Sequence, residues 1–121
     1  MILKLEMPSV NRMIGGGKVV RWHKKEGEWV DYGDLLVDID GRLKPAPSHQ
    51  IQRPGPYPFA IVSSDRGRLK AIRALEGSSH GEGDVLAVLE SGETAYDPIG
   101  DAVLESAIRF RVTVNLYHDC A

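Results

Sequence analysis

Short stretches of alternating apolar and polar residues run through this chain. Residues 2–7 alternate in this way, and in residues 20–23 the side chains of Val20 and Trp22 are predicted to share one face. A period of two is typical of a β-strand with one buried face. Turns that contain Gly and Asp separate these stretches from further apolar runs. Additional strands are therefore predicted at residues 29–30, 35–39, 59–63, 69–74 and 85–89.

The C-terminal region has the longest alternating pattern. Apolar residues occupy every second position from Ile108 to Leu116, which predicts one continuous strand. Because an uncovered strand edge invites pairing, we expect this strand either to join a sheet of its own chain or to pair across a homodimer. Upstream, Asp97 and Pro98 suit the N-cap and first position of a short helix over residues 99–106.

One segment of the chain occurs twice, at a constant offset of 50 residues. A duplicated strand-turn-strand unit predicts a fold with internal two-fold symmetry. Short strands at regular spacing predict an all-β fold, either a small barrel or a sandwich. Identical residues in the two copies fall at turns and strand starts: Gly17/Gly67, Glu26/Glu76, Gly27/Gly77, Gly33/Gly83, Asp34/Asp84 and Leu36/Leu86.

The segment between the two copies is rich in proline. Residues 41–66 contain five prolines, so irregular structure is predicted for most of this length, with only 59–63 as a strand. The predicted organisation is a β domain at residues 1–91, with an insertion at about residues 41–58. Residues 92–121 form an extension with the short helix and the final strand.

Composition narrows the classes of function. The chain has 121 residues, 42% of them hydrophobic, which suits one core. Its net charge is -2, with basic and acidic residues interspersed, so we expect no nucleic acid partner. No apolar run is long enough for a membrane span, and the N-terminus lacks a secretory hydrophobic region, which favours a cytoplasmic protein. The single cysteine, Cys120, predicts no disulfide within the chain.

The spacing of turn and strand residues resembles a known family. Residues 67–90 are similar to the second half of the lipoyl domains of 2-oxo acid dehydrogenase acyltransferases, within the wider biotinyl/lipoyl-attachment family. The resemblance covers residues 1–91 and implies a flattened β-barrel of two similar sheets, the lipoyl/biotinyl hammerhead, with halves related by a pseudo-two-fold axis. The similarity to the first half rests on Met7-Pro8, Met13, Gly17, Val19-Val20, Trp22, Lys25-Glu26-Gly27, Val30, Gly33-Asp34, Leu36 and Ile39.

The resemblance implies a candidate site at the junction of the two halves. The family carries lipoyl on a lysine at the tip of the joining hairpin, usually within Asp-Lys-Ala. This chain instead has Lys44, followed by Pro45 in a longer segment, and it has no Glu-Ala-Met-Lys-Met motif for biotin. The resemblance also implies that the loop beside this hairpin contacts the partner enzyme. That loop comprises Asn11, Arg12, Met13, Ile14, Gly15 and Gly16.

Other candidate residues favour structural roles. Lys70 aligns with Val20 on a strand, which predicts a surface lysine. The glycines at 15–17 precede Lys18, but Arg12 and Val19 depart from a phosphate-binding loop, so we interpret this stretch as a flexible loop. Trp22 and Trp29 are predicted to pack in the core, and Asp34 and Asp84 to bond backbone amides in turns. The four histidines have no metal-ligand spacing, and no metal site is predicted. A Ser/His/Asp arrangement is not legible in the sequence, and such triads form in space.

Two hypotheses about function follow. In the first, the protein is a non-enzymatic module that interacts with or scaffolds another protein and carries no cofactor. In the second, Lys44 bears lipoyl, and the protein shuttles an acyl or related group between partner enzymes of the acyl-transfer or dehydrogenase type. Neither hypothesis makes the chain an enzyme, and the missing Asp-Lys-Ala motif favours the first.

Overall fold

The structure is a computed structural model, and it describes residues 1–11, 13–44, 57–91 and 107–116. Arg12, most of the proline-rich insertion, the predicted helix at 99–106 and Cys120 lie outside the described residues. All regular structure in the described ranges is β. The strands are β1 (Ile2–Glu6), β2 (Ile14–Trp22), β3 (Trp29–Val30), β4 (Leu35–Leu43), β5 (Tyr57–Ser63), β6 (Gly67–Ile72), β7 (Ser79–His80), β8 (Val85–Glu90), β9 (Ile108–Arg109) and β10 (Val112–Leu116).

The strands form two five-stranded sheets. The first has the order β3-β6-β8-β1-β9, and the second has the order β10-β5-β4-β2-β7. This confirms the predicted all-β class. The prediction of a barrel is wrong, because the edge strands β3, β7, β9 and β10 each pair on one side only within the described residues. The ladders therefore end at four edges and do not close on one another.

The two halves of the chain exchange strands, so that each sheet contains strands from both halves. Strands β1 and β3 lie with β6 and β8, whereas β5 and β7 lie with β2 and β4. Irregular pairing occurs at matching places, between Val19 and Arg21 in β2 and between Leu69 and Ala71 in β6. The turns match as well, since the glycines of the two copies at 27, 33, 77 and 83 all have φ between 84° and 93°.

The irregularity in β2 changes which side chains are buried. Val19 is fully buried and Val20 is 52% exposed, so the prediction that Val20 shares the inner face is wrong. The extra residue of a bulge shifts the alternation by one position. Trp22 is half-buried, and its indole N–H donates to the carbonyl of Ala74 at 2.7 Å. The predicted core position of Trp29 is also wrong, because it lies on a two-residue edge strand and is half exposed.

The hydrophobic core draws on both sheets. Its members in the first sheet are Leu3, Leu5, Val30, Leu69, Leu86, Ala87 and Leu89, and those in the second are Ile14, Val19, Leu36, Val37, Ile39, Phe59 and Ile61. Each large apolar side chain removed from water contributes roughly 1.5–3 kcal/mol. Packing between the sheets therefore contributes a large part of the stability of the fold.

The C-terminal segment forms two strands where one was predicted. β9 runs parallel to β1 at the edge of the first sheet, and β10 runs antiparallel to β5 at the edge of the second. Phe110 lies between them and is 1% exposed. A continuous strand is excluded because the chain crosses from one sheet to the other at this buried side chain. The segment thus joins both sheets of its own chain, and pairing across a homodimer stays a prediction.

Candidate functional site

Lys44 follows directly after β4 and is held at three points. Its backbone N–H donates to the carbonyl of Met13 at 2.6 Å. Its Nζ lies 3.0 Å from Oε1 of Glu82, and the side chain is 40% exposed. Its methylene stem crosses Gly15, where an added Cβ would meet Cγ of Lys44 at 2.8 Å. The side chain is therefore partly accessible to solvent, but its methylene stem lies against Gly15 and its ammonium group is paired with Glu82.

Residues 13–16 of the predicted loop lie beside Lys44, and from Ile14 onward they belong to β2. Oδ1 of Asn11 accepts hydrogen bonds from the backbone N–H groups of Met13 at 2.7 Å and Ile14 at 2.9 Å. Ile14 is buried in the core, whereas Met13 is 53% exposed. The structure therefore brings together two of the sequence-derived candidates, Lys44 and this loop, through Met13 and Gly15. Arg12, the remaining candidate, is outside the described residues.

The glycines at 15–17 belong to β2, and the interpretation as a flexible loop is wrong. A Cβ on Gly16 would lie 2.2 Å from the carbonyl oxygen of His80, and one on Gly17 would lie 2.3 Å from that of Asp40. Gly16 also has a φ of +83°. These positions require glycine because neighbouring strands approach the backbone too closely for any side chain.

The structure also assembles a group of side chains that sequence reasoning missed. Oγ of Ser78 lies 2.8 Å from Nε2 of His80, and Nδ1 of His80 lies 3.9 Å from Oδ2 of Asp84. The sequence signal that could have revealed this group is the close spacing of its three members around the two-residue strand β7 and the turn that follows it. Oγ of Ser78 also lies 2.5 Å from the carbonyl of Leu75.

The hydrogen bond between Ser78 and His80 runs in the wrong direction for nucleophilic catalysis. A carbonyl oxygen can only accept, so the single hydroxyl proton of Ser78 points to Leu75. The hydroxyl must then accept a hydrogen bond from Nε2–H of His80, whereas a general base would have to accept one from the hydroxyl. The distance to Asp84 is also too long for a hydrogen bond. Ser78 bonds to Leu75 in the turn before β7, and Asp84 bonds to Gly81 in the turn before β8.

The duplicated aspartates Asp34 and Asp84 accept hydrogen bonds from backbone N–H groups in their turns, as predicted. Oδ2 of Asp34 accepts from the N–H of Asp31 at 2.8 Å, and Oδ2 of Asp84 accepts from the N–H of Gly81 at 2.8 Å. Elsewhere, Nε2 of His23 lies 2.9 Å from Oδ2 of Asp38. Among the described residues, no group of three or more His, Cys, Asp or Glu side chains could hold a metal ion.

A groove of about 450 Å³ adjoins the Lys44–Glu82 pair. Three stretches line it: residues 6–9 at the end of β1, residues 82–83 in the turn before β8, and residues 109–112 where the chain crosses between the sheets. Glu82 connects the ion pair with the groove, because it pairs with Lys44 and also lines the groove. The groove and Lys44 are therefore neighbours through Glu82.

Comparisons with family models and with solved structures found no match. No protein-family model matches the sequence, and no solved structure matches the fold significantly. In the part of the chain that the structure describes, there is no helix long and apolar enough to cross a membrane. The site's own geometry therefore carries the functional argument.

Proposed function

We propose that this protein is a non-enzymatic module with a lipoyl/biotinyl-like fold, which binds a partner protein and carries no modified lysine. The observation that carries the proposal is the anchored state of Lys44. The fold part of the proposal rests on the strand exchange between the halves and on hydrogen bonds that recur in both of them.

Backbone hydrogen bonds between the halves come in matched pairs. Gly27 donates to Leu69 at 2.6 Å, and its counterpart Gly77 donates to Val19 at 2.7 Å. The strand ends repeat this relation. Ser63 donates to Asp34 at 2.9 Å, and Met7 donates to Asp84 at 2.8 Å. Such reciprocal bonds support a fold built from two equivalent halves, as the resemblance to lipoyl domains implies.

The junction of the halves is longer in sequence than the tight hairpin of a carrier domain. The pair of β4 and β5 residues nearest the junction is Gly41 with Tyr57, and residues 42–56 lie between them in sequence. Lys44 is the only lysine in that segment. A swinging arm needs a lysine whose side chain extends freely from a short turn. The ion pair with Glu82 and the contact with Gly15 favour a structural lysine.

A partner-binding role is supported by what surrounds Lys44. Met13 is half exposed, and unbranched methionine side chains adapt to apolar partner surfaces. The backbone of Met13 is held by Asn11 and by Lys44, so little ordering cost at this residue would oppose binding.

One observation favours the alternative, a carrier lipoylated on Lys44. The lysine is 40% exposed and stands just past the paired end of β4, close to where the resembling family has its attachment site. A ligase that displaces Glu82 could reach the amine. The two functions therefore differ in a single measurable property, the mass of the protein.

The test is intact-mass analysis after co-expression with a lipoate ligase and lipoate. Three proteins are compared: the natural chain, Lys44→Arg, and a graft in which a short Asp-Lys-Ala turn replaces residues 42–56. We expect a lipoyl-sized increment only on the graft. An increment on the natural chain that Lys44→Arg abolishes would establish the carrier instead. A folded graft without an increment would remove the support for a lipoyl-like fold.

A further inference from the structure

Strand β10 is the longest edge strand of the two sheets. Within the described residues it pairs only with β5, and the other edge strands, β3, β7 and β9, have two residues each. Residues 112–116 include neither a charged residue nor a proline. Charges and prolines are common means by which an edge strand is kept from pairing with another strand. The edge of β10 therefore retains the capacity to add a strand.

The backbone groups of β10 alternate between β5 and the outer edge. The N–H of Ser64 donates to the carbonyl of Arg111 at 3.0 Å, so the backbone of Arg111 faces β5. In an antiparallel ladder every second residue bonds to the same neighbouring strand. Because the register runs without a shift through residues 112–116, residues 113 and 115 also bond to β5. The residues between them turn their N–H and C=O groups to the outer edge, and these are Val112, Val114 and Leu116.

An apolar side chain also lies at the end of this strand. Side chains of alternate residues share a face, so Leu116 lies on the same face as Val112 and Val114, which pack against the core. Leu116 itself is 47% exposed. A strand added beside β10 would remove part of this side chain from water.

We propose that β10 pairs with β10 of a second copy of this chain, antiparallel and about a two-fold axis at Val114. In this register Val114 faces its own counterpart, and Val112 faces Leu116 of the second copy. All the outward backbone groups of β10 then have partners. Thr113 lies opposite Asn115, so no like charges oppose each other across the axis.

The self-complementarity of the strand identifies the occupant. If the axis lay one residue to either side, Val112 or Leu116 would have no partner within β10. The contact is a single pair of five-residue strands, so we expect a weak dimer that forms only at high protein concentration. The proposal goes beyond the proposed function and does not depend on the state of Lys44.

The test is residue-resolved amide hydrogen exchange of the natural chain at low and high protein concentration. The N–H groups of Thr113 and Asn115 should be protected at both concentrations, because they bond to β5. Those of Val112, Val114 and Leu116 should gain protection only where sedimentation equilibrium shows a dimer. Protection of these three at every concentration would show that the chain covers its own edge, and it would overturn the proposal. A monomer at every concentration would overturn it as well.

Charge replacements test the register. Thr113→Lys combined with Asn115→Lys places lysines opposite each other across the axis and should weaken dimerisation roughly tenfold. Thr113→Lys combined with Asn115→Glu is the matched control, because it replaces the same two exposed positions but places each lysine opposite a glutamate. This control should dimerise at least as strongly as the natural chain. Urea unfolding verifies that both variants fold. Equal dimerisation of the two variants would overturn the proposed pairing.

Discussion

The carboxylate of Glu76 accepts a hydrogen bond from the backbone N–H of Trp22, with 3.1 Å between Oε1 and N. These residues belong to different halves of the chain. The converse bond joins Oε2 of Glu26 to the N–H of Ile72 at 3.2 Å. Each turn glutamate thus bonds to the end of a strand in the other half. The two strand residues, Trp22 and Ile72, lie just past the irregularities in β2 and β6.

Removing one of these carboxylates should loosen the contact between the halves. Glu76→Ala is expected to lower the free energy of unfolding by about 1 kcal/mol, since the site is exposed and a charged hydrogen bond is lost. Glu76→Gln retains an acceptor and should cost less, whereas Glu76→Asp is too short and should resemble Ala. Urea denaturation measures all three. Equal stability of the Ala and Gln variants would contradict a role for the bond to Trp22.

Gly16 is the most sensitive glycine of the described chain to substitution. In Gly16→Ala the new Cβ would lie 2.2 Å from the carbonyl oxygen of His80, so β7 must move away from β2. We expect a loss of roughly 3 kcal/mol or more. Gly77→Ala is the control, because Gly77 has a φ of +92° but nothing within 4 Å. It should lose only about 1–2 kcal/mol for the left-handed backbone. Similar losses in both variants would argue against close strand contact.

The C-terminal crossing is expected to stabilise the whole fold. Phe110→Ala empties a fully buried position between β9 and β10 and should cost about 3–5 kcal/mol. Ile108→Ala, two residues away and 55% exposed, should change stability by less than about 1 kcal/mol. Thermal and urea unfolding provide the comparison. A small effect at Phe110 would show that residues 107–116 contribute little to the core.

Asp31 should make stability depend on acidic pH. The pKa of Asp31 is lowered from its ordinary value of 3.8, first by the hydrogen bond from the N–H of Tyr32 and then by the side chain of Arg66. Nε of Arg66 lies 2.7 Å from Oδ1 of Asp31, and the ring of Tyr32 lies 4.8 Å from the same guanidinium. The folded state therefore favours the ionised carboxylate.

The direction of this dependence follows from the lowered pKa. The stabilisation is fully present above the ordinary pKa and is lost as pH falls through the lower value of the folded state. We expect the natural chain to lose its advantage over Asp31→Asn as the pH is lowered from neutral to below 3.8, the ordinary pKa of the group. Unfolding by urea at several pH values checks this. A constant difference between the two proteins across that range would exclude ionisation of Asp31 as the cause.

Local patterns in the sequence predicted most of the strands and the all-β class. Alternation predicted β1, and the apolar run at 85–89 predicted β8. The exposure of Val20 could not be predicted, because the bulge that follows Val19 depends on pairing with β4. The break of the last strand at Phe110 likewise depends on the space between the two sheets, which no local pattern describes.

The candidate site was only partly accessible to sequence reasoning. The resemblance pointed to Lys44 and to the loop of residues 11–16, which the structure places in contact. The role of Gly16 was missed, because the atom that excludes a side chain belongs to His80, far along the chain. The groove was missed for the same reason, since it combines three stretches that are distant in sequence.

The position of β1 has a consequence for how the protein folds. This first strand lies between β8 and β9, and Leu3 is paired with both Leu89 and Ile108. Its hydrogen bonds can form only after nearly the whole polypeptide has been gathered into one large loop, which is entropically unfavourable. We therefore expect refolding over milliseconds to seconds, as for other β proteins dominated by distant contacts. Until that loop closes, the edges of the N-terminal strand are unpaired. Association between incompletely folded chains is then the main process that competes with correct folding.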